Sequence, residues 1–494
     1  MLPNPPFQIE IENSLHQLNY RWKAEALAMW QGNPTSSAPY RIYEGYEDVI
    51  TLNTLKRIDK FTDEKTKTRL RFTLIDHFLR HILLPHETEM QAWSRGAAAQ
   101  VEGHNIYFRD IIPWCQKSST YPQRQILQKE TIALCKFLKP FAFNYWSILL
   151  ETLRDKLGYE NYIDYCRHKK GIDYAGYYKR FQKLLKQTDA IYFPAMEKWS
   201  HDRYGLPLRD LTRFDAINLL GLGQFDNLFP DRSLEGMTAF FYLWEIDVVH
   251  TSGLILELGK EAQKSSQAMC FILNTPREVH VLMRPEGGWV DLETLWHELG
   301  HGLSAVYTSA ELSLIDRDMP TSYSLSEAYA FLLQNLTLSR SFLEDFLGLT
   351  SETAQKLYYY KILKELSGFR RYAAKFLAEF NMFSSGDISN GELYARLMAR
   401  YTGFYYQPES HLFDLVPEFY CLDYLLGWMG EAVMESYLRE QLGPDWMLKV
   451  EAGRILKKWW ARGNQFDIFE FFERNDLGPL RLDPLIQRWQ TVLN

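Results

Sequence analysis

The sequence predicts a mainly α-helical protein carrying one small β-sheet just ahead of a distinctive helix. A 3.6-residue apolar period runs through Arg69–Leu84, Gln125–Leu153, Tyr174–Leu185 and Ala354–Phe380. Turn formers interrupt it at Gln31–Pro39, around Tyr121-Pro122 and at Ser384–Gly391. Only Gln267–Arg284 departs from the pattern. There, Ala268–Leu273 and Glu278–Met283 are short, partly β-branched runs flanking Asn274-Thr275-Pro276, which reads as two strands around a turn closed by Glu286-Gly287-Gly288. No internal repeat, low-complexity tract or long linker is visible.

A chain of 494 residues can bury a large core without disulfide or metal staples. Its length gives a prior of about three domains, with one large domain also allowed. The balance of 55 Lys+Arg against 62 Asp+Glu, a net −7, argues against general nucleic-acid binding. With 30 Tyr, 30 Phe and 14 Trp, a disordered polymer is excluded. No stretch reaches the roughly 18 apolar residues of a spanning helix. The amino terminus lacks a basic n-region and apolar h-region, so a soluble cytoplasmic protein is expected. Five scattered cysteines without a CxxC pair suggest neither a disulfide framework nor a thiolate zinc site.

The distinctive helix contains Trp296-His297-Glu298-Leu299-Gly300-His301, the pattern H-E-x-x-H. Residues i and i+4 share one helical face about 6 Å apart, so two imidazoles can hold one Zn²⁺, with the intervening Glu298 beside the metal's water. At about 100° per residue, Leu292, Leu295, Trp296, Leu299, Leu303 and Val306 form a core stripe. His297 and His301 fall nearly opposite, beside Thr294, Gly300, Ser304 and Ala305. An ordinary solvent face would carry Lys or Arg, and none occurs between Leu292 and Tyr307. The small residues suggest a close approach by another chain or a substrate.

A catalytic zinc takes three protein ligands. Glu311, Asp316, Asp318, Glu327 and Glu344 are downstream candidates. Glu327 opens the nearly all-apolar run Ala328–Leu338, where a carboxylate should be paired or metal-bound. Equally, Ser324-Leu325-Ser326-Glu327 fits an S-x-x-E capping box, and spacing does not decide between them. Further on, a loop carrying His411 enters a helix near Pro417 in which Tyr420 and Tyr424 share a face with Gly427 and Glu431. Two phenols at that spacing can donate to a developing oxyanion, though helical Tyr pairs are also ordinary packing.

The segment Asp291–His301 resembles the E-x-x-T-x-F-H-E-F-G-H segment of the M3 family of metallopeptidases, the thimet oligopeptidase and oligoendopeptidase F family. The likeness extends upstream through Ala268–Phe271 and Glu278–Gly288 and downstream to Ser326–Phe331, covering about Ser265–Leu438. It implies that His297, His301 and Glu327 bind one zinc ion and that Glu298 is the general base. His411, separated from Tyr420 by eight residues, matches the family's late His, and Tyr424 its following Tyr with one extra residue. These three are implied to stabilise the tetrahedral intermediate. The family's common third His is Ser304 here. The position four residues after the ligand Glu, Asp in some related zincins, is Phe331, so support for a ligand histidine must come from elsewhere.

The resemblance implies a large zincin-type helical fold with a deep substrate channel between two helical halves, 1–205 and a catalytic 206–494 that holds the small sheet (268–284). It also implies hydrolysis of short unfolded oligopeptides, Glu298 assisting attack by water on the zinc. The strand Glu278–Met283 would hold the peptide by β-addition. The alternatives are a zinc carboxypeptidase of a related helical zincin family, with Arg277, Arg284 or Arg340 anchoring the terminal carboxylate, and a catalytically silent peptide-binding scaffold. A glycosidase carboxylate pair has no spacing to support it. No nucleic-acid or membrane partner is expected.

Overall fold

A computed structural model describes residues 5–33, 39–228, 234–261, 264–265 and 267–494. The chain is mainly helical. The helices that matter for the site are α1 (Pro5–Trp30), α2 (Glu64–Gly96), α3 (Tyr121–Glu151), α4 (Tyr162–Lys170), α5 (Tyr174–Tyr204), α6 (Trp289–Val306), α7 (Ser324–Gln334), α8 (Ser351–Ser385) and α9 (Tyr420–Leu442). All four periodic segments lie in helices, and the Tyr121-Pro122 break is the start of α3, with Thr120 and Gln123 closing a capping box. The Ser384–Gly391 break separates α8 from the helix Gly391–Thr402, whereas most of Gln31–Pro39 lies outside the described residues. Among the described residues, no helix is long and apolar enough to cross a membrane. The described cysteines are all free.

The described residues form two sheets. β1 (Ala98–Val101) and β2 (His104–Tyr107) form an antiparallel hairpin, and β3 (Leu254–Glu257), β4 (Met269–Asn274) and β5 (Glu278–Leu282) form a three-stranded sheet in the order β3-β5-β4. β4 and β5 are the strand pair read from the sequence. The four-residue strands β1, β2 and β3 are too short to show a pattern. Their presence corrects the role expected of Glu278–Met283: β5 is the central strand, parallel to β3 and antiparallel to β4, so it has no free edge for a peptide. The edge beside α6 belongs to β4.

The main apolar cluster extends from Phe7 in α1 to Trp489 near the carboxyl end, with two smaller ones beside it. α6 enters it as the stripe predicts, with Leu292, Leu295, Trp296, Leu299 and Leu303 wholly buried. Trp296 packs against Phe240, Phe241 and Phe342 with ring centroids 5.1 to 5.4 Å apart. α6 is also tied to α8, because Lys361 and Lys364 both reach the buried Glu293 carboxylate. These two ammonium groups hold the Glu293 carboxyl down at about 2 against the upward push of burial.

Glycines set the spacing of the three central helices. A Cβ on Gly300 would lie 2.7 Å from the Tyr329 carbonyl oxygen and 2.8 Å from the Ala330 nitrogen, so α7 packs directly on the α6 backbone. A Cβ on Gly427 of α9 would lie 2.6 Å from Glu327 Cβ. The small residue Gly300 on the histidine face therefore admits the neighbouring helix α7. Gly300→Ala forces backbone against backbone and should cost about 1–3 kcal/mol. The expected outcome is a lower thermal midpoint, and an unchanged midpoint would contradict the contact.

Candidate metal centre

α6 presents His297 and His301, and α7 brings Glu327 to them, so that one ligand atom from each lies within 4.8 Å of the other two. His297 Nε2 is 3.5 Å from Glu327 Oε2 and His301 Nε2 is 3.8 Å from Oε1. Glu327 is only 1% exposed. Its Oε1 accepts a 2.6 Å hydrogen bond from the Tyr420 hydroxyl, while Oε2 has no hydrogen-bond partner. On the far side of each ring, His297 Nδ1 lies 2.9 Å from Gln334 Oε1 and His301 Nδ1 lies 2.8 Å from Ser326 Oγ. An amide oxygen can only accept, so the His297 proton sits on Nδ1 and the Nε2 lone pair faces the carboxylate.

The charges leave a gap that suits a cation. Burial pulls His297 down to about 4 and His301 well below its ordinary value, so both rings are neutral at pH 7. Burial pushes the Glu327 carboxyl up, and the Tyr420 hydroxyl opposes that push. A carboxylate with an unsatisfied oxygen in a dry site needs a positive partner. Tetrahedral bonds of about 2.0–2.2 Å put ligand atoms roughly 3.3–3.6 Å apart, close to the 3.5 and 3.8 Å between each imidazole and Glu327. The donor set therefore fits a small divalent ion bound by three protein ligands.

The capping-box reading of Ser324–Glu327 does not hold. Tyr323 is the residue preceding α7 and makes no side-chain cap, Ser324 Oγ bonds Asp423 Oδ1 at 2.7 Å, and the Glu327 side chain turns to Tyr420 and the imidazoles. Glu298, between the histidines, is 9% exposed. A main-chain hydrogen bond from Cys270 on β4 reaches its carboxylate, and burial nevertheless pushes the carboxyl up to about 7. That is a value suited to taking and returning a proton near neutrality.

Of the three expected oxyanion donors, two are at the centre and one is not. Tyr420 gives its hydroxyl proton to Glu327. Tyr424 packs its ring 5.1 Å from Tyr420 and 4.9 Å from Tyr372, is partly exposed, and no described residue accepts its hydroxyl proton. His411 is a correction. Its nitrogens lie 2.8 Å from the Pro408 carbonyl and 3.0 Å from the Ile388 carbonyl, and the buried ring sits against Tyr394, with no hydrogen bond toward the trio. The turn at Pro408–Ser410 followed by the short helix His411–Asp414 directs the ring at that neighbouring segment.

The phenols are aimed by a strained bend. Glu418 and Phe419 both have positive φ, 61° and 50°, a conformation costing roughly 1–3 kcal/mol per non-glycine residue. Lys169 Nζ grips Glu418 Oε1 at 2.7 Å, Tyr165 donates to the same oxygen at 2.9 Å, and Lys170 donates to the Glu418 carbonyl at 2.7 Å. Lys170 also bonds Asp423, whose other oxygen receives Ser322 and Ser324 at 2.7 Å. One buried network thus fixes the start of α9 and the start of α7, and so the Tyr420–Glu327 contact.

Sequence reasoning missed Gln334, Ser326, Asp423 and Lys170. Gln334 follows Glu327 by seven residues, two helical turns, and is one of few polar residues in an apolar helix, which was the available signal. No sequence pattern joins Lys170 to Asp423. Neither a protein-family model nor a curated protein matches the chain. Removing a partner of a ligand histidine commonly lowers metal affinity about 10–100-fold. Ser326→Ala and Gln334→Leu should each do so in a competition titration with a chromophoric chelator, and Glu327→Ala should lose more. Wild-type zinc affinity in Glu327→Ala would place the third ligand elsewhere.

Proposed function

We propose that this protein is a zinc-dependent metallopeptidase that hydrolyses peptide bonds in short oligopeptides, as its resemblance to the M3 family implies. One observation carries the reading: a buried carboxyl, Glu298, stands on the same helical turn as two neutral imidazoles that converge with Glu327 into a three-ligand group. A bound zinc ion would supply Lewis-acid polarisation of the scissile carbonyl and a more acidic water.

The chain's own residues do the rest. Glu298 takes the proton of the attacking water and returns it to the leaving amine. The Cys270 main-chain N–H keeps the Glu298 carboxylate oriented along β4. Tyr424, whose hydroxyl is uncommitted, donates to the carbonyl oxygen as it becomes negative. Tyr420 holds Glu327 in place through the 2.6 Å hydrogen bond. The outer edge of β4 supplies main-chain donors and acceptors for an extended peptide, giving affinity with little side-chain selectivity.

Glu298→Gln should keep its metal and lose internal cleavage of a mixed oligopeptide pool followed by mass spectrometry. Retained cleavage would remove Glu298 as the base. Tyr424→Phe should lower kcat by about 10²–10³ with KM little changed, the loss typical of one oxyanion donor. An unchanged kcat would return Tyr424 to ordinary packing. Intact peptides with the zinc-loaded wild type would favour the silent scaffold.

A further inference from the structure

A file of tyrosine rings crosses the metal centre. Tyr323, the residue before α7, has its ring centroid 5.9 Å from that of Tyr420. Tyr420 lies 5.1 Å from Tyr424, and Tyr424 lies 4.9 Å from Tyr372 on α8. The two inner rings already have work at the centre: Tyr420 holds Glu327, and Tyr424 donates to the reacting carbonyl. The two outer rings have none. Tyr323 is nevertheless 45% exposed, and Tyr372 is half-buried.

Both outer rings are held in place. The Tyr323 main-chain N–H donates to Asp423 at 3.3 Å, inside the network that sets the start of α9. Trp428 meets Tyr372 edge-on at 5.7 Å and is itself stacked on Phe331 at 4.3 Å. A fixed, partly exposed phenol ring offers a large apolar face and has little entropy left to lose on contact. Tyr323 also lines, together with Met269 of β4, a cavity of about 370 Å³ beside the metal centre. A peptide lying along the outer edge of β4 therefore passes this ring.

Resting on the metallopeptidase reading, we infer that Tyr323 and Tyr372 are specificity residues that stack on aromatic side chains of the peptide, one on each side of the bond that is cut. They stand at opposite ends of the Tyr420–Tyr424 pair, and Tyr424 is the ring beside the scissile carbonyl. Successive rings lie 4.9 to 5.9 Å apart. An extended peptide rises about 3.3 Å per residue, so one ring step covers roughly one to two residues. Tyr372 thus reads a side chain about one or two residues from the bond, and Tyr323 one about three residues away on the other side. The guest is an uncharged ring. The Arg371 guanidinium, paired with Asp414 at 2.8 Å, already occupies the place a cation would take over Tyr372.

The test uses the zinc-loaded full chain and a set of alanine-based decapeptides in which a single Phe is moved along the sequence. Mass spectrometry reads each cut site and its kcat/KM. Cuts should gather at two fixed distances from the Phe, one on either side of it, about 3- to 10-fold above cuts elsewhere, the contribution of one aromatic pair. Tyr372→Leu should erase the nearer preference and keep the farther, and Tyr323→Ala should do the reverse. Tyr323→Phe and Tyr372→Phe, which keep the rings, should retain both. A variant that merely unsettles Tyr424 or Glu327 lowers cutting at every site alike and does not produce this split. Cuts indifferent to the Phe position in the wild type, or a pattern unmoved in both Tyr323→Ala and Tyr372→Leu, overturn the proposal. Leu or Lys serving as well as Phe at both places does so too. If the wild type cuts no peptide, the peptidase reading fails instead. Calorimetric binding of Phe-bearing and all-alanine peptides to the wild type and to Tyr323→Ala then judges the stacking subsites on their own.

Discussion

A carboxylate buried in an apolar helix has to be given a positive partner, and much of this structure is organised around meeting that requirement at Glu327. Among the described residues, no lysine or arginine reaches it. What surrounds it are two imidazoles kept neutral by burial and one phenol that satisfies only one of its oxygens. Bringing α7 close enough for this contact demands glycine at 300 and at 427, because any side chain at either position would meet α7 backbone or Glu327 itself. The packing of α6, α7 and α9 and the ligand geometry are thus the same constraint seen at two scales.

Around that centre, charge is spent on position. Glu293 with Lys361 and Lys364 fastens α6 to α8, and the Lys170–Asp423–Ser324 chain fastens α9 to α7. Breaking one partner of such buried pairs strands the other, so each network resists small displacements of the ligands. The strained Glu418-Phe419 bend persists only because Lys169, Lys170 and Tyr165 hold it while Phe419 is packed among Tyr162, Tyr174 and Phe383. Strain of this kind, set one residue before Tyr420, belongs to the apparatus that points a hydroxyl at the third ligand.

The helical character and the shared face of His297 and His301 were legible in the sequence because both depend on local spacing: 3.6-residue periodicity for the helices and i and i+4 for the histidines. For Glu327, spacing left a buried ligand and a helix cap equally open, and only the family resemblance pointed it at the histidines. The absence of Lys and Arg from the histidine face likewise had a local cause in burial. What depended on long-range pairing was not legible. The order β3-β5-β4 turned an expected edge strand into a central one, since a four-residue strand leaves no periodic trace. His411 had suitable spacing from Tyr420, yet the turn ahead of it spends both ring nitrogens on main-chain carbonyls. Gln334 lay in an apolar run and Ser326 inside a segment read as a capping box, and only the approach of α6 makes them partners of His297 and His301.

The central claim is that His297, His301 and Glu327 together form one metal site. Zinc K-edge absorption spectroscopy on the purified full chain, with metal stoichiometry measured on the same sample, addresses it most directly. One zinc per chain with two imidazole nitrogens and carboxylate or water oxygens at about 2.0–2.2 Å, and loss of one imidazole shell in His301→Ala, is the result expected. A spectrum dominated by sulfur, more than two imidazoles, or a coordination shell indifferent to His301→Ala would contradict it.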